Sequence, residues 1–174
     1  MTEREHVVVA ILSAADGEMV GRVRLQKTAY LLEQLGLGSK FGFDYHHYGP
    51  FSRDLDNAVA DAKAFGLIAE RLEQRKSDGA TYSIFTLNQP PTSPRFGKLT
   101  ARRARELVTR FVQADVTVLE LAATIDWLWR VEKYCDWGNE IRKRKGAKVQ
   151  KGRLEVAVQL LRDLGLPPPS AQRA

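Results

Sequence analysis

Apolar side chains recur at helical spacing near the start of the chain: Val8, Ile11, Leu12 and Ala15 within EHVVVAILSAA, residues 5–15. So little polar relief predicts a buried helix, closed by the turn pair Asp16-Gly17. In GRVRLQKTAYLLEQLGLG, Leu25, Ala29, Leu32 and Leu35 share one helical face, and Gly36 and Gly38 offer C-cap positions. Arg22, Arg24 and Lys27 crowd the first turns of that helix, where the helix dipole disfavours cations, and read as a solvated face. The period then changes. Phe43, Tyr45 and His47 alternate with Asp44, His46 and Tyr48, which predicts a strand with two unlike faces, ended by Gly49-Pro50. The aromatic side of this strand, with His47 hydrogen-bonded, is expected to lie half-buried on the helix that follows.

Ser52 is placed to cap that third helix, RDLDNAVADAKAFG, with Asp54 and Asp56 in its first turn and Leu55, Val59, Ala62 and Phe65 on its buried stripe. LIAERLEQ and TYSIFTLN read as strands, and Asp78-Gly79 between them is a hairpin signal. NQPPTSPRFG, residues 88–97, holds three of the seven prolines and marks the best boundary. Four helical patterns follow, with Thr100 and Asp115 as caps. Val118, Leu121, Ala122, Ile125, Leu128 and Trp129 form one apolar face, read as a bundle seam, with a homodimer interface as the other reading. The expected class is mainly α (α+β). A winged-helix-like domain with a β-hairpin wing covers 1–97, a C-terminal helical bundle covers 98–165, and a flexible tail covers 166–174. One departure stands out: roughly fourteen residues separate the second and third helices, where a helix-turn-helix uses ~3–4.

Composition adds little beyond a globular class, with 44% hydrophobic and 28% charged residues. No apolar run reaches the ~20 residues needed to cross a bilayer. The mixed charges of MTEREHVVVAIL argue against a secretory signal, and Cys135 alone permits no internal disulfide. Cys135 reads as a half-buried apolar residue and the protein as cytoplasmic, with no membrane contact. Charge is more telling. Residues 1–97 hold 11 Lys/Arg and 12 Asp/Glu, whereas residues 98–174 hold 16 and 9. The basic second part raises the expectation of a polyanionic or acidic partner.

Candidate chemistry is sparse. The chain carries no GxxxxGK(S/T), GxGxxG, HExxH or GxSxG pattern. His46 and His47 point to opposite strand faces and would not share a metal, and no cofactor is expected. Asp44 and His46, at i and i+2, share a face and keep a small claim to acid–base work, without a nucleophile or third group to complete it. IRKRKGAKVQKGR carries Arg142, Lys143, Arg144, Lys145, Lys148, Lys151 and Arg153 with no acid, and reads as a basic collar able to bind phosphate backbone. Arg102, Arg103 and Arg105 add a second basic cluster, and Arg75 and Lys76 sit at the base of the wing. The third helix suits a DNA groove poorly, because Asp61 would meet phosphates with the wrong sign. Its exposed face, Asn57, Ala60, Asp61 and Ala64, suits a protein surface, with Asp44 and His46 beside these as partner-binding candidates.

The stretches GRVRLQKTAYLLEQLG, FDYHHYGPFSRDL and AFGLI, with LELAATIDWLW later, resemble the YwgA-like family and the Panacea (SocA/GepA-like) domain of bacterial antitoxins and a proteolysis adaptor. Leu25, Lys27, Tyr48, Gly49, Pro50 and Ser52 carry the signature, an LQK helix followed by Y-G-P-F/Y-S. The resemblance implies a non-enzymatic regulatory module of antitoxin or adaptor type that binds a protein partner, toxin or client. The alternative is a DNA-binding transcriptional or phage-defence regulator using the basic C-terminal helices.

Overall fold

The structure is a computed structural model and describes residues 4–170; the last four residues of the expected flexible tail lie outside the described residues. The chain forms two compact units: residues 1–44 with 51–113, and residues 45–50 with 114–174.

In the first unit, α1 (Arg4–Ala14) is apolar nearly all round, and seven of its eleven residues are buried. A helix of that character belongs at the centre of a core, and α3 (Arg53–Ala64) and α4 (Ala101–Gln113) pack on it. The second helix, α2 (Arg22–Gln34), is buried without a break from Leu25 to Leu32, well beyond the one stripe its spacing suggests. Of the expected solvated face only Arg22 is exposed; Arg24 is half-buried and Lys27 is buried. Arg22 bonds Glu70 at 2.8 Å, and Arg24 donates to the Phe111 carbonyl at 2.6 Å. The sheet has the order β1-β5-β4, all antiparallel, with β4 (Ile68–Gln74) and β5 (Thr81–Leu87) as the expected hairpin. The outer strand β1 (Glu18–Val20) had no signal in the pattern, because three residues are too few to show alternation.

The expected single aromatic strand is instead a hairpin. β2 (Asp44–His46) turns at His47-Tyr48 into β3 (Gly49–Phe51), so Gly49-Pro50 begins a strand where a stop was expected. Ser52 then caps α3, its Oγ accepting from the Leu55 N–H at 3.1 Å. Gln26 fixes that cap from α2. Its Oε1 accepts from the Ser52 N–H at 2.8 Å and its Nε2 donates to the Ser52 carbonyl at 2.9 Å. Both residues are buried, so this pair satisfies main-chain groups that water does not reach.

The boundary expected at 97/98 falls inside the first unit. Gly97, at φ 61°, packs backbone to backbone, and a Cβ there would lie 2.1 Å from the Leu37 carbonyl oxygen. The Lys98 N–H donates to the Gly36 carbonyl at 2.8 Å, and α4 then packs on α1 and α2. The division of charge changes with the boundary. Unit one holds 16 Lys/Arg and 13 Asp/Glu and unit two holds 11 and 8, so each is net +3.

The second unit joins the hairpin tip, residues 45–50, to α5 (Val116–Arg130), α6 (Trp137–Lys145), a 3-10 turn (Gly146–Val149) and α7 (Arg153–Asp163). Asp115 caps α5, accepting from the Thr117 and Val118 N–H groups at 2.8 and 3.2 Å. The apolar face of α5 is buried, against α6 and α7. Cys135 is exposed, not half-buried as expected. Within the expected tail, Trp137 Nε1 holds the Pro169 carbonyl at 2.9 Å. Among the described residues no helix is long and apolar enough to cross a membrane.

Gln26→Ala strands the buried Ser52 N–H and leaves the Ser52 carbonyl only its bond from the Asp56 N–H at 3.3 Å, at an expected cost of about 1–3 kcal/mol. Ser52→Ala loses one cap bond, an expected cost of about 1 kcal/mol. Urea midpoints of the two variants check this; equal small shifts would contradict the clamp.

Candidate functional site

The site is built in unit two from the hairpin tip outward. Gly49 has φ 86°, and a Cβ there would lie 2.5 Å from Thr124 Oγ1 on α5. Only glycine brings the backbone this close. The Thr124 hydroxyl itself is bound to the Glu120 carbonyl at 2.7 Å, so it has little freedom to yield.

One turn earlier on α5, the Glu120 side chain is nearly fully buried. A carboxylate in that position needs partners, and two cations supply them. Lys145 Nζ donates to Glu120 Oε1 at 2.8 Å, and Lys148 Nζ reaches both oxygens at 2.9 Å. Lys145 also donates to the His47 carbonyl at 3.1 Å, tying the end of α6 to the hairpin. Burial pushes the Lys145 ammonium below its ordinary value, and the Glu120 carboxylate opposes that shift.

A second network lies beside it. The Arg144 guanidinium grips Glu132 with two bonds, 3.0 and 2.6 Å, and bonds Glu140 at 2.6 Å. Its carbon lies 4.6 Å from the Tyr45 ring centre and 5.4 Å from that of Tyr134. Trp127 Nε1 donates to Glu132 at 2.9 Å. Arg144 holds the Glu132 carboxyl below its usual range, and burial raises the Tyr45 phenol above its own.

The expected basic collar is therefore divided. Arg144, Lys145 and Lys148 are turned into the unit and paired with acids. Arg142 donates to the Gly138 carbonyl and Arg153 to the Lys148 carbonyl. Lys143 and Lys151 are exposed. Arg102, Arg103 and Arg105 belong to unit one, where the first two meet Glu106 and the third meets Asp16. Asn57, Asp61 and Ala64 are exposed on α3 and are not part of the site. Asp44 and His46 are exposed at the foot of the hairpin. Of the signature residues, Leu25, Lys27 and Ser52 are buried in unit one, Gly49 and Pro50 are buried in unit two, and Tyr48 is 49% exposed.

The outer surface of the site is aromatic and cationic. His47 and Tyr48 stack edge to face, their centroids 4.8 Å apart. Lys148 Nζ lies 4.9 Å from the Tyr48 ring centre, and its side chain is 38% exposed. The Tyr48 ring, steered by His47 and Lys148, can stack a flat ligand while the ammonium meets an anion. Sequence reasoning missed Glu120, Glu132 and Trp127. The available signal was an acid, Glu120, inside the apolar run of α5, where Asp126 is the other. Among the described residues no group of three His, Cys, Asp or Glu could hold a metal ion.

Gly49→Ala places a residue at positive φ and against Thr124, an expected cost of more than about 2 kcal/mol, of which Thr124→Ala should recover only the steric part. Acid should also weaken the unit. The folded state depresses the Glu132 pKa, so its contribution is full above the ordinary value of 4.5 and is lost as pH falls through the folded value. Urea midpoints from pH 7 to pH 3 should fall less for Glu132→Gln than for wild type; parallel curves would contradict the assignment.

No protein-family model matches the chain. It is 30% identical to a DNA ADP-ribosyl glycohydrolase of Thermus aquaticus over 165 residues, 86% of this chain and 43% of that protein. It is 28% identical to the uncharacterized protein YwgA of Bacillus subtilis over 72 residues, 41% of this chain and 43% of that one. The chain thus spans less than half the length of the curated relatives it matches. The YwgA likeness agrees with the resemblance read from the motifs. The glycohydrolase likeness, to an enzyme and over most of the chain, overturns the expected function: the non-enzymatic antitoxin- or adaptor-type regulator and its alternative, the DNA-binding regulator.

Proposed function

We propose that this chain serves DNA ADP-ribosyl glycohydrolase chemistry by holding nucleic acid. The observation that carries this reading is the 30% identity to such an enzyme over 86% of the chain. The site supports a role in holding nucleic acid. What the site offers to solvent is a ring and an ammonium, Tyr48 and Lys148, which is the chemistry of base stacking and phosphate pairing.

Unit one fits the same reading as a winged-helix-like scaffold of the kind seen in YwgA-like and Panacea-type domains. Its order α1-β1-α2-α3-β4-β5 and the pairing of β1 on β5 support this. A DNA substrate places its work in the cytoplasm.

The test uses a fluorescent single-stranded oligonucleotide, plain and ADP-ribosylated, in an anisotropy titration. Tyr48→Ala should weaken binding by about 5- to 100-fold, the range of one lost base stack. Lys148→Ala should lower the slope of log affinity against log salt by about 0.7. Failure to bind either oligonucleotide at low salt, or unchanged affinity in Tyr48→Ala, would each overturn the proposal.

A further inference from the structure

Unit one holds a cleft of about 670 Å³ between α1, the end of α3 and the proline-rich strip Gln89–Arg95. We infer that it binds an adenine nucleotide, through a ring stacked on Phe65 and phosphate held by Arg95. The choice of adenine and diphosphate rests on the reading above, since the mark to be removed is ADP-ribose. The cleft itself rests on separate observations.

Phe65 ends α3 with its ring 66% exposed, at the edge of this cleft. A phenyl ring left in water beside a cavity is a stacking surface without its partner. The facing wall is fixed in place. Asn88 Nδ2 donates to the Gly66 carbonyl at 2.7 Å, and the Asn88 N–H donates to the Leu67 carbonyl at 3.0 Å, so the strip starts pinned to the end of α3. Pro90, Pro91 and Pro94 then restrict its backbone. A stiff wall loses little entropy when a ligand arrives.

The polar groups on this wall are unused. Gln89, Thr92, Ser93 and Arg95 make no hydrogen bond or ion pair with the described residues. Among the described residues no Asp or Glu lines the cleft, although unit one carries 13 acids. The Arg95 guanidinium therefore sets the local sign and selects an anion. Hydroxyl and amide donors beside it suit phosphate oxygens and a ring edge. The volume falls in the range of small-molecule sites, about 300–1,000 Å³.

Calorimetric titrations of the full chain with AMP, ADP-ribose and inorganic pyrophosphate test this. AMP and ADP-ribose should bind saturably, and Arg95→Glu should weaken both by at least about tenfold. Phe65→Ala should weaken AMP and ADP-ribose by at least about fivefold and leave pyrophosphate unchanged, since only the stack is lost. Both side chains are exposed, so thermal midpoints close to wild type should confirm intact folding. No saturable binding at millimolar AMP, equal affinities for AMP and pyrophosphate, or AMP affinities unmoved by either substitution would overturn the inference. The two readings fail separately. AMP binding without any oligonucleotide binding keeps the cleft and sinks the nucleic-acid role; oligonucleotide binding without AMP binding does the reverse.

Discussion

A carboxylate buried on a mostly apolar helix governs the second unit. Glu120 cannot stay charged there without cations, and Lys145 and Lys148 come from the end of α6 and the turn after it to supply them. Because Lys145 also holds the His47 carbonyl, the same charge fixes the hairpin tip. Because Lys148 lies over the Tyr48 ring, it also shapes what the tip shows to solvent. Neutralising Glu120 would leave the buried Lys145 ammonium without its acid.

The hairpin is positioned by a second constraint of a different kind. Gly49 lets the backbone meet Thr124 at a distance no side chain allows, and Pro50 begins the return strand. Ser52, two residues on, is clamped by Gln26 within unit one. The short run from Gly49 to Ser52 thus serves both units by steric fit at one end and hydrogen bonding at the other. Gln26 of the LQK helix and Ser52 of the Y-G-P-F-S stretch form a single reciprocal pair.

Features set by near neighbours were legible in the amino-acid order. The caps at Ser52, Thr100 and Asp115 bond within three residues of themselves, and each is present. The β4–β5 hairpin, with Asp78-Gly79 in its connection, was equally plain. Features decided by distant contacts were not. His47-Tyr48 continued an alternating pattern by composition yet form a tight turn, because the tip is tied to α5 and α6 rather than to the strand's own period. The cations of 142–153 looked alike in sequence, and only burial separates Lys145 from Lys143. The apparent basic half dissolved once α4 joined unit one, since the boundary depends on Gly97 meeting Leu37 across sixty residues.

The central claim is that the hairpin tip and the turn after α6 form the nucleic-acid surface. Amide hydrogen exchange with and without an ADP-ribosylated oligonucleotide tests it most directly. The account predicts slowed exchange at residues 45–50 and 146–152, around Tyr48 and Lys148. Protection confined to the β4–β5 hairpin or the α3 face of unit one, with the tip unchanged, would contradict it.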